Sequence, residues 1–364
     1  MVSAPRLATP PLAGLRGALL IASPGARGIE RLARNPSCLR LAAIVASGTS
    51  PSMVAKAVYR DASQDSQSPF AFASGNGFER GLLQDDAARL REAFPNLPTN
   101  ARVVDASKSD NKAAFTRQLL LQRLNDRPDA PQLILKPSLV VEVGATPYRI
   151  EPDFLITEDG PYFRVGEIKS YLDRGGKTAP SKIGGASRQA AVEVVGLRRA
   201  YAAIGVSDVD RATPPVSELI LRRPGTRLAS RRTMQVAGEV SSIERMLAGL
   251  PETFERIRRE TIGWPTRASL ADRAHLERLP ANFRPECREH CPLASSCRAE
   301  AESVDSLAIL GSAALTQIPG VDSFTRARAL IDGAPAVSPE EAAVQQRLRR
   351  AWQAQEEAIG ANRP

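Results

Sequence analysis

Histidine is almost missing from this chain: two residues in 364, His275 and His290. That excludes catalysis or metal binding built on several imidazoles. Cysteine is nearly as scarce, with Cys38 alone upstream and Cys287, Cys291 and Cys297 crowded near the other end. Four cysteines in a chain this long do not make a disulfide scaffold, so ligation of a metal or cluster becomes their leading use. No apolar run reaches the ~18 residues of a membrane span. The stretch "LAGLRGALLIAS" (12–23) has a signal-like composition, but Arg16 interrupts it and Pro and Gly flank it, so a soluble cytoplasmic protein is expected. The chain also lacks a G-x-x-x-x-G-K-[ST] phosphate loop and any internal repeat, which excludes a P-loop nucleotide-driven motor and a repeat architecture.

What is present is a 43% hydrophobic chain with 49 basic against 40 acidic residues, a net charge of +9. The hydrophobic content suffices for one large domain or a core with a smaller appendage. The excess of positive charge is mainly Arg, and "RRPGTRLASRR" (222–232) holds five Arg and no acid. Arg favours bidentate contact with phosphate, so a polyanionic partner and a merely basic surface are both open from charge alone.

Residues 1–30 read as a mobile arm, and 28–48 as a helix carrying Cys38. Amphipathic helices are expected over 75–94 and 111–126, then three or four consecutive strands from about 132 to 172. A long helix (184–203), a strand (217–223), another near 233–237 and further helices follow. The order predicts an α/β core with a mixed central sheet flanked by helices. Residues 301–335 form a compact helical appendage and 336–364 a charged C-terminal helix.

The stretch "FRVGEIKSY" (163–171) places Glu167 and Lys169 on one strand face and Gly166 and Ile168 on the other. A turn, "EDGP", links it to "EPDFLI", so a hairpin brings Asp153 toward the Glu167–Lys169 end. Carboxylate oxygens are hard ligands for Mg²⁺ or Mn²⁺, and a nearby ammonium can orient water or stabilise charge at phosphorus. Taken alone, Glu-x-Lys is also an ordinary ion-paired strand end.

"EPDFLI…FRVGEIKSY" resembles motifs II and III of the PD-(D/E)xK nucleases. Within them it is similar to the RecB-type branch, which includes iron–sulfur nucleases of CRISPR adaptation and of bacterial recombination complexes. The resemblance implies a restriction-endonuclease-like core, here spanning 31–300, and a metal-dependent DNA nuclease active in defence, repair or recombination. It implies an acidic residue on an upstream helix, supplied by Glu79 in "GNGFERGL", and a Gln after the Glu-x-Lys strand, supplied by Gln189 in "SRQAAVEVV". Glu79, Asp153 and Glu167 would hold Mg²⁺ or Mn²⁺, Lys169 would assist the attacking water, and Gln189 would position substrate or the Lys. The family's Tyr four residues after the Gln is Glu193 here.

The branch also carries one distant Cys and three clustered ones around a [4Fe–4S] cluster, a pattern matched by Cys38, Cys287, Cys291 and Cys297. The spacing Cys-x3-Cys-x5-Cys has one residue more than the family's usual first gap. A local zinc site of Cys287, His290, Cys291 and Cys297 is the alternative, but it leaves Cys38 unused. DNA is the expected partner, RNA offers the same phosphates, and any unwinding would come from a partner such as a helicase or another defence or repair protein. A non-catalytic nuclease-fold subunit of a larger complex is the rival reading. "LTQIPGVDSFTRARAL" resembles a helix-hairpin-helix, with Asp322 in place of its second Gly.

Overall fold

The computed structural model describes residues 12–21, 25–60, 69–143, 146–226, 228–265, 268–284, 286–305, 307–310 and 315–360. Four α-helices come first among the described residues: α1 (Gly25–Arg34), α2 (Leu39–Ala46), α3 (Pro51–Tyr59) and α4 (Pro69–Arg91). The last is kinked by non-helical backbone at Gln84, Asp85, Asp86 and Ala87, which interrupts the helix expected over 75–94. After β1 (Val103–Asp105), α5 (Lys112–Leu124) begins at Asn111, whose side chain accepts from Ala114 N–H. Five strands follow: β2 (Leu133–Leu135), β3 (Leu139–Val143), β4 (Thr146–Ile150), β5 (Phe154–Ile156) and β6 (Arg164–Leu172). Helix α6 (Pro180–Ala203) has Pro180 in its first turn and leads through α7 (Val209–Ala212) to β7 (Val216–Arg222) and β8 (Ala229–Gln235). The remaining helices are α8 (Ala237–Glu260), α9 (Arg273–Arg278), α10 (Cys287–His290), α11 (Ala294–Ser303), α12 (Phe324–Asp332) and α13 (Pro339–Gly360).

Six strands form one mixed sheet in the order β1-β2-β5-β6-β7-β8, with β1–β2 and β6–β7 parallel and the other pairs antiparallel. Strand alternation sorts the side chains into two layers. Leu133, Leu135, Phe154, Ile156, Ile168 and Ile220 face Leu82 and Leu90 of α4 and Phe94. Ile134, Leu155, Val165, Leu219 and Leu221 face the larger core, to which α2, α6 and α8 contribute. Gly166 sits over the Phe154 ring, and a Cβ there would lie 2.0 Å from Phe154 Cζ, so only glycine allows this approach. The β3–β4 hairpin is a separate two-stranded sheet on α6, tied to α2 by Tyr148 Oη donating to the Val45 carbonyl (2.8 Å).

Two further expectations change. The helix expected over 28–48 is broken, because Pro36 disfavours helix at Asn35 and cannot donate; α1 ends at Arg34 and Cys38 becomes the N-cap position of α2. The strand run holds five strands, since the β3–β4 hairpin leaves the main sheet. Of the expected N-terminal arm, 1–11 and 22–24 lie outside the described residues. The described part is tied down: Leu12 is buried, its N–H donates to the Ala46 carbonyl, and the Leu15 carbonyl accepts from Leu270 N–H. In the C-terminal appendage, Leu307, Val321, Leu330 and Val344 share a small core of their own, while 306 and 311–314 lie outside the described residues. Among the described residues no single helix is long and apolar enough to cross a membrane.

Candidate functional site

The antiparallel β5–β6 pairing aligns Phe154 with Gly166, which brings Asp153 beside the Glu167–Lys169 end of β6. Asp153 Oδ2 accepts from Ile168 N–H at 2.7 Å, so the backbone of the Glu-x-Lys strand itself orients this carboxylate. Glu167 is 2% exposed. Its Oε1 accepts from Lys169 Nζ and from Gln189 Nε2 (2.8 Å), and Gln189 Oε1 accepts from Lys169 Nζ at 3.1 Å. Glu167, Lys169 and Gln189 therefore close a ring of hydrogen bonds between β6 and α6. Glu79 reaches the same sheet end from α4, the opposite layer, where it meets Lys136. Of the five residues singled out in the sequence, Glu167, Lys169 and Gln189 bond one another directly, Asp153 joins their strand through Ile168 N–H, and Glu79 is linked to Asp153 through Lys136.

Two further residues belong to the site. Lys136, just after β2, donates to Asp153 Oδ1 (3.0 Å) and to Glu79 Oε1. Glu193, one turn beyond Gln189 on α6, is fully buried and accepts from Gln189 Nε2 at 3.3 Å. A Glu inside the apolar run "AAVEVV" is the sequence signal for it, because an unpaired carboxylate is rarely buried. Lys136 carries no such signal.

The charges are strongly coupled. Burial pushes the Glu167 carboxyl up, while Lys169 pulls it down. Burial, and then the neighbouring Glu167, raise Glu193 well above the ordinary carboxylate range. The two carboxyls lie within hydrogen-bonding reach, and the buried Oε2 of each has no other partner. A carboxyl raised in this way keeps its proton, and Glu193 can donate it to its neighbour Glu167. Burial lowers Lys169 and Lys136, but their carboxylate neighbours outweigh it and both end raised, so both are ammonium ions. Among the described residues, no group of three or more His, Cys, Asp and Glu side chains is arranged to hold a metal ion. Around Asp153 and Glu79 the reason is visible: Lys136 stands among the carboxylates.

A cleft of about 790 Å³ opens from Lys169 and Gln189 and runs between α1, the first half of α6 and α10. Seven cations line it (Arg27, Arg31, Arg34, Lys169, Lys182, Arg188 and Arg288) against Glu30 and Glu289. The two acids orient the arginines: Arg188 Nε donates to Glu30 at 3.0 Å, and Arg34 pairs with Glu289 at 3.2 Å. The loop expected to be basic is differently engaged. Arg231 is bound to Glu158 and Glu218, and Arg232 to Asp173, while Arg227 lies outside the described residues.

The four cysteines are buried and line one narrow cavity next to this cleft. Cys38 comes from the start of α2, Cys287 from α10, Cys291 from just beyond it and Cys297 from α11. Asn35 Nδ2 donates to Cys287 Sγ and an Arg40 N–H to Cys297 Sγ, each at 3.5 Å. Burial pushes the Cys291 and Cys297 thiols up to about 12. Four thiols line one cavity and two already receive N–H donors, a chemistry that suits a thiophilic metal group, although they are not arranged to hold one here and such a group would have to displace their protons. His290 lines both the cavity and the cleft; burial, with Arg34 and Arg31 adding to it, lowers it to about 4. Compared with known proteins, the chain matches no family model and no curated sequence, so its own geometry carries the functional reading.

Proposed function

We propose that this protein is a metal-dependent nuclease of the PD-(D/E)xK type, RecB-like branch, acting on DNA. The observation that carries the reading is the convergence of Asp153, Glu167, Lys169 and Gln189 at one sheet end, with Glu79 opposite, at the head of a cationic cleft. Glu79, Asp153 and Glu167 would hold Mg²⁺ or Mn²⁺, which when bound supplies positive charge to the scissile phosphate and acidifies the attacking water. Ile168 N–H fixes Asp153, and the Gln189 amide fixes both Glu167 and Lys169. Lys169 is thereby held as a cation beside the reacting phosphorus, where it orients water and offsets developing negative charge. Water adds to phosphorus in line with the departing oxygen, the P–O bond breaks, and the leaving oxygen takes up a proton. The cleft arginines neutralise phosphates without reading sequence. Cys38, Cys287, Cys291 and Cys297 would hold a [4Fe–4S] cluster that staples α2 to the C-terminal segment, with structural Zn²⁺ as the alternative.

The rival reading, a non-catalytic nucleic-acid-binding subunit, draws on the pairing of the carboxylates with lysines. Anaerobic purification, an absorption spectrum, and Mn²⁺- or Mg²⁺-dependent cleavage of single- and double-stranded DNA separate the two. Cleavage by wild type and its loss in Lys169→Ala support the nuclease. DNA binding with no cleavage in either metal supports the rival.

A further inference from the structure

Lys136 has an unusual backbone for its position. Its φ is +48°, in the left-handed region, and it precedes Pro137, which restricts it further. The conformation is held by Lys136 N–H donating to the Asp153 carbonyl at 3.0 Å. The result is that its side chain points between Glu79 and Asp153, with its ammonium bonded to both. Strain at a non-glycine residue is kept where the surrounding structure over-determines it, often at functional positions.

We propose that Lys136 is a positioning residue for the divalent cation, a tethered positive charge that bridges Glu79 and Asp153 and that the cation must displace. This rests on the metal-site reading above. Asp153 accepts from Ile168 N–H with one oxygen and from Lys136 with the other, so a metal taken by the oxygen not tied to the strand backbone meets the Lys136 ammonium there. Two cations sharing that oxygen would repel across a few Å, and the tethered one can move because its side chain is 30% exposed. Lys136 thus keeps the carboxylates from flying apart and sets the metal concentration at which the site fills.

The test is Mn²⁺ binding to the full-length protein, followed by electron paramagnetic resonance, together with the rate at which an amine-acylating reagent modifies Lys136, read by mass spectrometry. Lys136→Met is expected to bind Mn²⁺ about tenfold more tightly than wild type, and Lys136→Arg, which keeps the charge, to stay near wild type. In wild type, Mn²⁺ is expected to accelerate acylation of Lys136, a readout that needs no variant to fold. Mn²⁺ binding within about twofold in all three proteins, with unchanged acylation, overturns the role of Lys136 and leaves the metal site standing. Failure of both wild type and Lys136→Met to bind Mn²⁺ overturns the metal site and this inference with it.

Discussion

Replacing Arg40 by Met tests what holds the two ends of the chain together. Arg40 is on α2, two residues beyond Cys38, and its side chain is completely buried. The guanidinium donates to Glu300 twice (2.6 and 3.0 Å), to the carbonyls of Leu279 (3.1 Å) and Glu277 (3.2 Å), and to Cys297 Sγ. Methionine keeps the apolar stem and removes every donor. Each abandoned carbonyl costs ~1 kcal/mol. The ion pair adds only ~1 kcal/mol, because Glu300 is 27% exposed and water takes over part of its solvation. A fall of roughly 2–4 kcal/mol in unfolding free energy is expected, measured by urea unfolding in reducing buffer with chelator. Glu300→Gln should lose only about 1 kcal/mol, since the carbonyl bonds persist. An Arg40→Met protein within about 0.5 kcal/mol of wild type, or a Glu300→Gln loss equal to that of Arg40→Met, refutes the assignment of stability to this side chain.

Lys169→Met should lower cleavage about 10²- to 10³-fold with little change in DNA affinity, as comparison of single-turnover rates with binding isotherms would show. Glu193→Gln should flatten the stability–pH curve of metal-free protein. The folded carboxyl keeps its proton above the unfolded value of about 4.3, so wild type has this stability in full below that pH and loses it as pH rises toward the folded value. Gln cannot ionise, so the wild-type-minus-variant difference in melting temperature should grow more negative with pH; a constant difference would contradict a protonated Glu193. Arg288→Ala should reduce the slope of log affinity against log salt by about 0.7–0.9 for single- or double-stranded DNA, and an unchanged slope would remove Arg288 from the phosphate path.

The parts of the site that share one element or one hairpin were legible in the sequence. Two-residue periodicity puts Glu167 and Lys169 on one face, and a short turn carries Asp153 back to them. Gln189 was also found, although its expected Tyr partner is absent. In the structure Glu193 occupies that position and accepts from the Gln189 amide directly. Lys136 and the cleft were not legible for a different reason. Lys136 reads as the last residue of an apolar strand, and its role arises only when α4 brings Glu79 across the sheet end. The cleft draws its cations from α1, α6 and α10, far apart in sequence, whereas the conspicuous run of Arg at 222–232 has Arg231 and Arg232 consumed by internal acids.

That distribution of charge links the cysteine cavity to the cleft. Arg288, Glu289 and His290 form one wall of the cleft and lie between Cys287 and Cys291. The opposite walls belong to α1 and α6, where Glu30 fixes Arg188. Arg34 pairs with Glu289 between α1 and the cysteine segment, but Glu289 is largely exposed and fixes little. The wall's position is therefore set by the buried contacts behind it: Asn35 to the Asn282 carbonyl (2.6 Å), Arg40 to Leu279, and the four thiols. Protonated thiols pack there as small apolar groups and add little directional force. A group that ligates all four would join α2 to α10 and α11 by strong bonds and fix the wall against the first half of α6. Its effect on the cleft would thus be geometric, exerted through Arg288 and His290 rather than through any contact with Glu167 or Lys169.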